Sequence, residues 1–230
     1  MIQVVGIENL SMVDYDEKLA CTLFTRGCNF RCPFCQNSSL VLDPNIPSLN
    51  EDAILSDLKK KVGLLDAVCI TGGEATLQEN LIPFIKKIKD LGLLVKLDSN
   101  GYAPEVLRDV LKANLVDYVA MDVKGCRSNY STICGLPKMD LSKIEESISL
   151  LINSNIEFEF RTTLLNEYHS EECMEEIFEM INGCKKYAMQ KYKDNPNCIE
   201  HGFTPVPYEK VLSYKLIAEK TIPNVIIRGY

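Results

Sequence analysis

Cys28, Cys32 and Cys35 stand in the run Cys28-Asn29-Phe30-Arg31-Cys32-Pro33-Phe34-Cys35, a C-x3-C-x2-C spacing. A [4Fe–4S] cube has four irons, and each needs an outer ligand. Three closely spaced thiolates with no matching fourth leave one iron open to a ligand that is not protein. Such a vacancy belongs to a reaction centre rather than to an electron wire. The competing chemistry is structural zinc, which takes four N or S ligands, usually as two separated pairs. Only Cys32 and Cys35 make half of such a pair. A fourth zinc ligand would have to be Cys21, Cys69, His169 or His201, and none of these has a paired spacing.

The bulk of the chain sets the frame for that centre. With 230 residues, 46% hydrophobic and 25% charged, it has the length for one domain with a real core. A net charge of −7 argues against a nucleic-acid partner. No apolar run reaches the roughly 18 residues of a membrane span. The first residues include Glu8, Asp14, Asp16 and Glu17, which is not the order of a signal peptide. A reducing, cytoplasmic location is therefore expected. The other cysteines, at 21, 69, 126, 134, 173, 184 and 198, are scattered and read as structural or incidental thiols.

The elements that must position the triplet alternate in type. Strands are expected at Lys18–Thr25, Asp66–Thr71, Leu93–Asp98, Val116–Val123, Ile156–Leu164 and Lys186–Tyr192. Between them come amphipathic helices at Leu49–Val62, Asn80–Leu91, Pro104–Ala113, Asp140–Ser154 and Ser170–Asn182. Asn50 is a candidate cap, Gly92 a stop, and Pro104 a first-turn proline. The pattern predicts an α/β fold, a partial (β/α)6 TIM-like barrel. A helix at Tyr208–Glu219 and a strand at Val225–Arg228 form a short C-terminal extension. We expect a single domain over 1–230, with a core of about 19–192 and an extension over 193–230.

Polar signatures follow the strand ends, where β/α folds carry their sites. They are the cysteine loop, Gly72-Gly73-Glu74, Asp98-Ser99-Asn100-Gly101, Asp122 with Lys124, and Arg161-Thr162-Thr163. The two glycines permit close backbone approach to a ligand. In Glu157-Phe158-Glu159-Phe160-Arg161, period 2 sets the charges on one face and the phenylalanines on the other. The charged face then points into the barrel, where it needs partners. His169 reads as a solvated loop residue outside the site. Gln190 and Tyr192 are candidates for the substrate mouth.

Taken in order, these motifs resemble the radical S-adenosylmethionine (radical SAM) enzymes. Gly72-Gly73-Glu74-Ala75 is similar to their GGEP motif, with Ala for Pro. Asp98-Ser99-Asn100-Gly101 resembles the D-T-N-G motif of glycyl-radical-enzyme activases, and Met121-Asp122-Val123-Lys124 their M-D-x-K segment. The nearest group is the anaerobic ribonucleoside-triphosphate reductase activating proteins. The resemblance implies that Cys28, Cys32 and Cys35 hold a [4Fe–4S] cluster whose open iron chelates S-adenosylmethionine. It implies that Phe34 packs beside the cofactor adenine and that Glu74 accepts from its ammonium. Asp98, Ser99 and Asn100 would meet the ribose and carboxylate region, and Lys124 would pair with the carboxylate. Gly72, Gly73, Asp122 and Arg161 complete the expected binding set. The implied activity is reductive cleavage to a 5′-deoxyadenosyl radical, which takes hydrogen from a glycine of a partner glycyl radical enzyme. The electron would come from a flavodoxin- or ferredoxin-type donor. A radical SAM enzyme on a small molecule, similar to 7-carboxy-7-deazaguanine synthase, stays open, as does a non-catalytic metal-binding module.

Overall fold

A computed structural model describes residues 1–230. Its framework is one eight-stranded sheet in sequential order. The strands are β1 (Val4–Ser11), β2 (Ala20–Thr25), β3 (Ala67–Gly72), β4 (Leu94–Ser99), β5 (Tyr118–Asp122), β6 (Glu157–Leu164), β7 (Lys186–Lys191) and β8 (Asn224–Arg228). β1 pairs antiparallel with β2, and every later pair is parallel. β1 and β8 are the two edges, so the sheet curls without closing.

The helices α1 (Ser38–Leu42), α2 (Glu51–Lys60), α3 (Leu81–Asp90), α4 (Pro104–Lys112), α5 (Tyr130–Ile133), α6 (Ser142–Ile152), α7 (Glu171–Met180) and α8 (Tyr208–Ala218) occupy the crossovers. Their ends follow local chemistry. Asn50 Oδ1 accepts from Ala53 N at 2.9 Å, and Glu51 and Asp52 occupy the first turn of α2 with Lys59 and Lys60 in its last. Ser170 caps α7 in the same way. The expected alternation is present, with two additions. β1 lies ahead of the expected first strand. The C-terminal extension is continuous with the sheet, since β8 pairs with β7 from Lys186↔Asn224 to Gln190↔Arg228. The short helices α1 and α5 and the 3-10 turn Ala75–Leu77 carry no periodicity long enough to read from sequence.

Period 2 sorts the strand side chains. Val68, Ile70, Val95, Leu97, Val119, Phe158 and Phe160 pack outward in the core with Phe84, Ile85, Leu107, Ile148 and Ile177 of the helices. The inner face is different. Ala20, Ala67 and Ala120 are small enough to admit Tyr15 from the β1–β2 connection, whose ring lies 5.3 Å from that of Tyr118. These residues fill the lumen at the N-terminal end of the strands. Above them run charged residues, and the open end is the C-terminal rim. Cys69, one of the scattered thiols, is fully buried and lies 3.9 Å from Lys96 Nζ.

Candidate active site

The loop after β2 carries the three thiols and is held from several sides. Cys35 N donates to Cys32 O at 3.0 Å, and Arg31 Nη1 donates to the carbonyls of Cys28 and Phe30, both at 2.7 Å. Arg31 N reaches Cys134 O at 2.8 Å, just past α5, and Glu200 N reaches Pro33 O at 2.7 Å from the segment after β7. Distant parts of the chain therefore fix this short loop.

The Gly-Gly-Glu turn after β3 seats on the exit of β2. Gly73 N donates to Thr25 O at 2.9 Å and Glu74 N to Gly27 O at 2.7 Å. Gly72 has φ +115, and a Cβ on Gly73 would stand 1.9 Å from Gly27 O. Backbone is packed against backbone here, which only glycine allows.

Glu74 is 2% exposed, and its carboxylate accepts from four donors. They are Thr76 N at 3.1 Å, Thr76 Oγ1 at 2.6 Å, Ser99 Oγ at 3.0 Å and Asn100 N at 2.7 Å. Burial pushes its carboxyl above the usual range despite these bonds. Glu74 thus ties the exit of β3 to that of β4, and the ammonium contact expected of it competes with the protein's own donors. Asn100 continues the tie, donating from Nδ2 to Asn29 Oδ1 at 2.7 Å and toward Cys28 Sγ at 3.7 Å.

The charged face of β6 meets aspartates rather than its own glutamates. Arg161 bridges Asp122 Oδ1 at 2.9 Å and Asp98 Oδ2 at 3.2 Å. Lys124 Nζ lies 2.8 Å from Asp122 Oδ2, and Lys96 Nζ 2.8 Å from Asp98 Oδ1. The result is a ladder of alternating charge down the lumen. Glu159 pairs instead with Arg228 of β8 at 2.8 Å. Burial alone would raise the Asp98 and Asp122 carboxyls. Arg161 beside both, with Lys96 at Asp98 and Lys124 at Asp122, reverses that and holds them below the usual range.

A group with a lowered folded-state pKa contributes stability that is present above its unfolded pKa and lost as pH falls through the folded one. The thermal midpoint of the protein is therefore expected to fall as pH drops below about 4, the ordinary Asp value. Asp122→Asn should start lower at neutral pH and show a shallower acid slope in thermal melts between neutral and strongly acid pH. An unchanged slope would mean that the ladder does not couple to folding.

The expected cofactor residues come together. Cys28, Cys32, Phe34, Cys35, the Gly72–Glu74 turn, Asp98, Ser99, Asn100, Asp122, Lys124 and Arg161 line one cavity of about 440 Å³ at the C-terminal rim. That volume suits a small-molecule cofactor. Thr71, Thr163, Asn37, Lys191 and Asp14 also line it. Thr71 and Thr163 adjoin the motifs and could have been included on that ground. Asp14 has no local signal, because it enters the lumen from the β1–β2 connection and accepts from Thr22 Oγ1 at 2.6 Å.

Gln190 lies at the cavity as expected, but Tyr192 does not. Tyr192 is buried, with its hydroxyl on Cys198 Sγ at 3.7 Å. His169 is also not the solvated residue expected, being 1% exposed and hydrogen-bonded at both ring nitrogens. Among the scattered cysteines, Cys134 lies beside the triplet. The neighbouring Cys134 thiol is the largest influence on Cys32 and holds it below the ordinary value, against burial. Burial and the Glu74 carboxylate push Cys28 up to about 12, and burial raises Cys35.

The donor set fits the cluster. The three thiols line one cavity wall, and a cube takes its protein ligands on different irons.

This curled sheet with a thiol-lined cavity at its rim is that of a superfamily: the chain belongs to the radical SAM superfamily, whose model matches residues 22–181. It is a radical SAM enzyme with a [4Fe–4S] cluster and S-adenosylmethionine as its cofactors. Within that superfamily some relatives are provisionally named activating enzymes, and others are named for GTP 3′,8-cyclase and 7-carboxy-7-deazaguanine synthase. It is 34% identical to a protein of Methanocaldococcus jannaschii provisionally named a glycyl-radical enzyme activating enzyme, over 98% of this chain and 95% of that one. A domain of pyruvate-formate lyase-activating enzyme from Bacteroides vulgatus superposes with TM-score 0.58 at 17% identity, covering 71% of this chain and 99% of that one. Streptococcus suis SuiB bound to S-adenosylmethionine superposes with TM-score 0.61 at 12% identity, covering 88% and 48%. These two likenesses show the shared fold. No helix is long and apolar enough to cross a membrane.

Proposed function

We propose that this enzyme activates a glycyl radical enzyme, and that its partner is an anaerobic ribonucleotide reductase. The observation that carries the activase reading is the near end-to-end relation to the M. jannaschii protein of that provisional name. The ordered DSNG and MDVK segments at the cavity support it, and the reductase partner rests on the resemblance to the anaerobic ribonucleoside-triphosphate reductase activating proteins.

When bound, the cluster and S-adenosylmethionine supply a 5′-deoxyadenosyl radical by one-electron reductive cleavage of the C5′–S bond. The chain's own residues do the rest. Cys28, Cys32 and Cys35 hold the cluster and leave the fourth iron to the cofactor. Phe34 offers an apolar face for the adenine. Ser99 and Asn100 are fixed by Glu74 and would face the ribose and carboxylate region of the cofactor. Lys124 and Arg161 would supply positive charge for the methionine carboxylate, held in aim by Asp98 and Asp122. Tyr15 and Tyr118 close the lumen behind the cofactor and exclude water, which protects a reactive radical. The hydrogen is then taken from the Cα of a glycine that reaches in from the rim. A flavodoxin- or ferredoxin-type protein is the proposed electron donor.

The test is anaerobic reconstitution with iron and sulfide, then reductant, S-adenosylmethionine and anaerobic ribonucleotide reductase. We expect 5′-deoxyadenosine together with a glycyl-radical resonance on the reductase. Cleavage without that resonance would transfer the assignment to another glycyl radical enzyme or to a small-molecule substrate. No 5′-deoxyadenosine from a fully loaded cluster would remove the radical chemistry itself.

A further inference from the structure

His169 lies between β6 and α7, outside every motif above, yet it is among the most buried polar residues. Its backbone N donates to Leu165 O at 3.0 Å, and its carbonyl accepts from Tyr214 Oη of α8 at 2.9 Å. On the ring, Leu165 N donates to Nδ1 at 3.0 Å. Nδ1 also lies 3.1 Å from Leu165 O, but Nε2 faces the Lys124 carbonyl, which can only accept, so the neutral ring carries its proton on Nε2 and Nδ1 accepts from Leu165 N. Nε2 then donates to Lys124 O at 3.0 Å. Burial pushes the ring's pKa below the ordinary histidine value, which keeps this neutral tautomer in place at neutral pH.

Lys124 is where this contact matters. It stands just beyond β5, past the last ladder pairing, where the main chain leaves the sheet. Its N–H donates to Tyr130 Oη at 3.2 Å and its carbonyl accepts from His169, so two buried side chains hold the peptides on either side of its Cα. Its ammonium lines the cavity, 2.8 Å from Asp122 Oδ2. A lysine side chain has four rotatable bonds and does not aim itself. Fixing the Cα removes part of that freedom before the cofactor arrives, which lowers the entropic cost of binding.

We infer that His169 is a positioning residue for S-adenosylmethionine, acting through the Lys124 main chain to aim that ammonium at the cofactor carboxylate. The inference rests on Lys124 being a cofactor contact, as proposed above. It assigns a binding role to a histidine that never touches the ligand.

Two amide substitutions divide the ring's two bonds. His169→Asn keeps an acceptor near the Nδ1 position for Leu165 N but does not reach Lys124. His169→Gln keeps a donor near the Nε2 position for Lys124 O and gives up the Leu165 bond. Each loses one buried hydrogen bond, so both should lower the thermal midpoint by a similar few degrees.

The readout is the dissociation constant of S-adenosylmethionine for the cluster-loaded, unreduced protein, measured by equilibrium dialysis beside thermal melts. His169→Gln is expected to bind within about threefold of the parent. His169→Asn should bind about tenfold more weakly, a loss of about 1.4 kcal/mol. Lys124→Ala should weaken binding at least as much as His169→Asn. If affinity follows the thermal midpoint equally in both amide variants, His169 is only structural and the inference is wrong. If Lys124→Ala weakens binding while both amide variants bind like the parent, the positioning role alone fails. If Lys124→Ala binds like the parent, the reading of Lys124 as a cofactor contact fails, and the inference with it.

Discussion

Cys32→Ala is expected to lose the cluster and, with it, all 5′-deoxyadenosine formation. The physical case begins with the ligand count. Three thiolates already leave one iron to the cofactor, so removing one leaves two protein ligands for four irons. Nothing nearby substitutes without rearrangement. Cys134 is adjacent, but it is fully buried and its carbonyl is the acceptor that holds the Arg31 N–H. Moving its sulfur into the ligand position would disturb the end of α5 and the loop together. Cys173→Ala provides the contrast, because its thiol packs in the core and accepts from Asn129 Nδ2 at 3.5 Å, away from the cavity. Iron and sulfide content, cluster absorbance and 5′-deoxyadenosine should fall to background in Cys32→Ala and stay near the parent in Cys173→Ala. Loss of cluster from the Cys173 variant would show that the ligand set is not the triplet.

Gly73→Ala is expected to be strongly disruptive although it removes no reactive group. Its Cβ would lie 1.9 Å from Gly27 O and 2.6 Å from Gly27 C, both backbone atoms that no rotamer change can move. Relief requires the Gly-Gly-Glu turn to lift off β2. That breaks Gly73 N to Thr25 O and Glu74 N to Gly27 O, and it displaces the Glu74 carboxylate from Ser99 and Asn100. Overpacking of this kind costs about 1–3 kcal/mol, and a buried carboxylate that loses its donors adds about as much again. At the roughly 2–4 °C per kcal/mol expected for a chain of this size, the thermal midpoint should fall by about 5–15 °C. Gly6→Ala is the matched control. Its Cβ would meet the Phe24 side chain at 3.5 Å, an ordinary contact. A Gly73→Ala protein that melts with the parent and still binds S-adenosylmethionine would show that the turn is not packed as described.

The fold was legible in the sequence wherever a pattern is local. Asn50 and Ser170 cap their helices because a cap needs only a side-chain oxygen and an N–H three residues on. The row Glu157 to Arg161 sorts its charges from its phenylalanines because a strand alternates by construction. β1 carries no such local pattern. It is a sheet edge with mixed exposure, its register is broken twice, and it shows no clean alternation.

By itself, then, the sequence determined the thiol triplet, the glycine pair, the order of strands and helices, and the rim on which the polar motifs stand. These follow from covalent spacing and from neighbours a few residues apart. Only the tertiary structure decided what each motif is partnered with. Glu74 turned out to be a clamp between strand exits, because the parallel register of β3 and β4 sets Ser99 and Asn100 over its carboxylate. Arg161 pairs with Asp122, its register partner on the adjacent β5, and with Asp98 of β4 one strand further on, because parallel pairing sets all three side chains on the lumen face. Cys134 and His169 reached the cysteine loop and Lys124 through crossovers that no local pattern describes. Residue type and spacing fix which chemistry a chain can carry. The partners of its buried charges and hydrogen bonds are fixed by register and curvature, which arise only when distant strands pair.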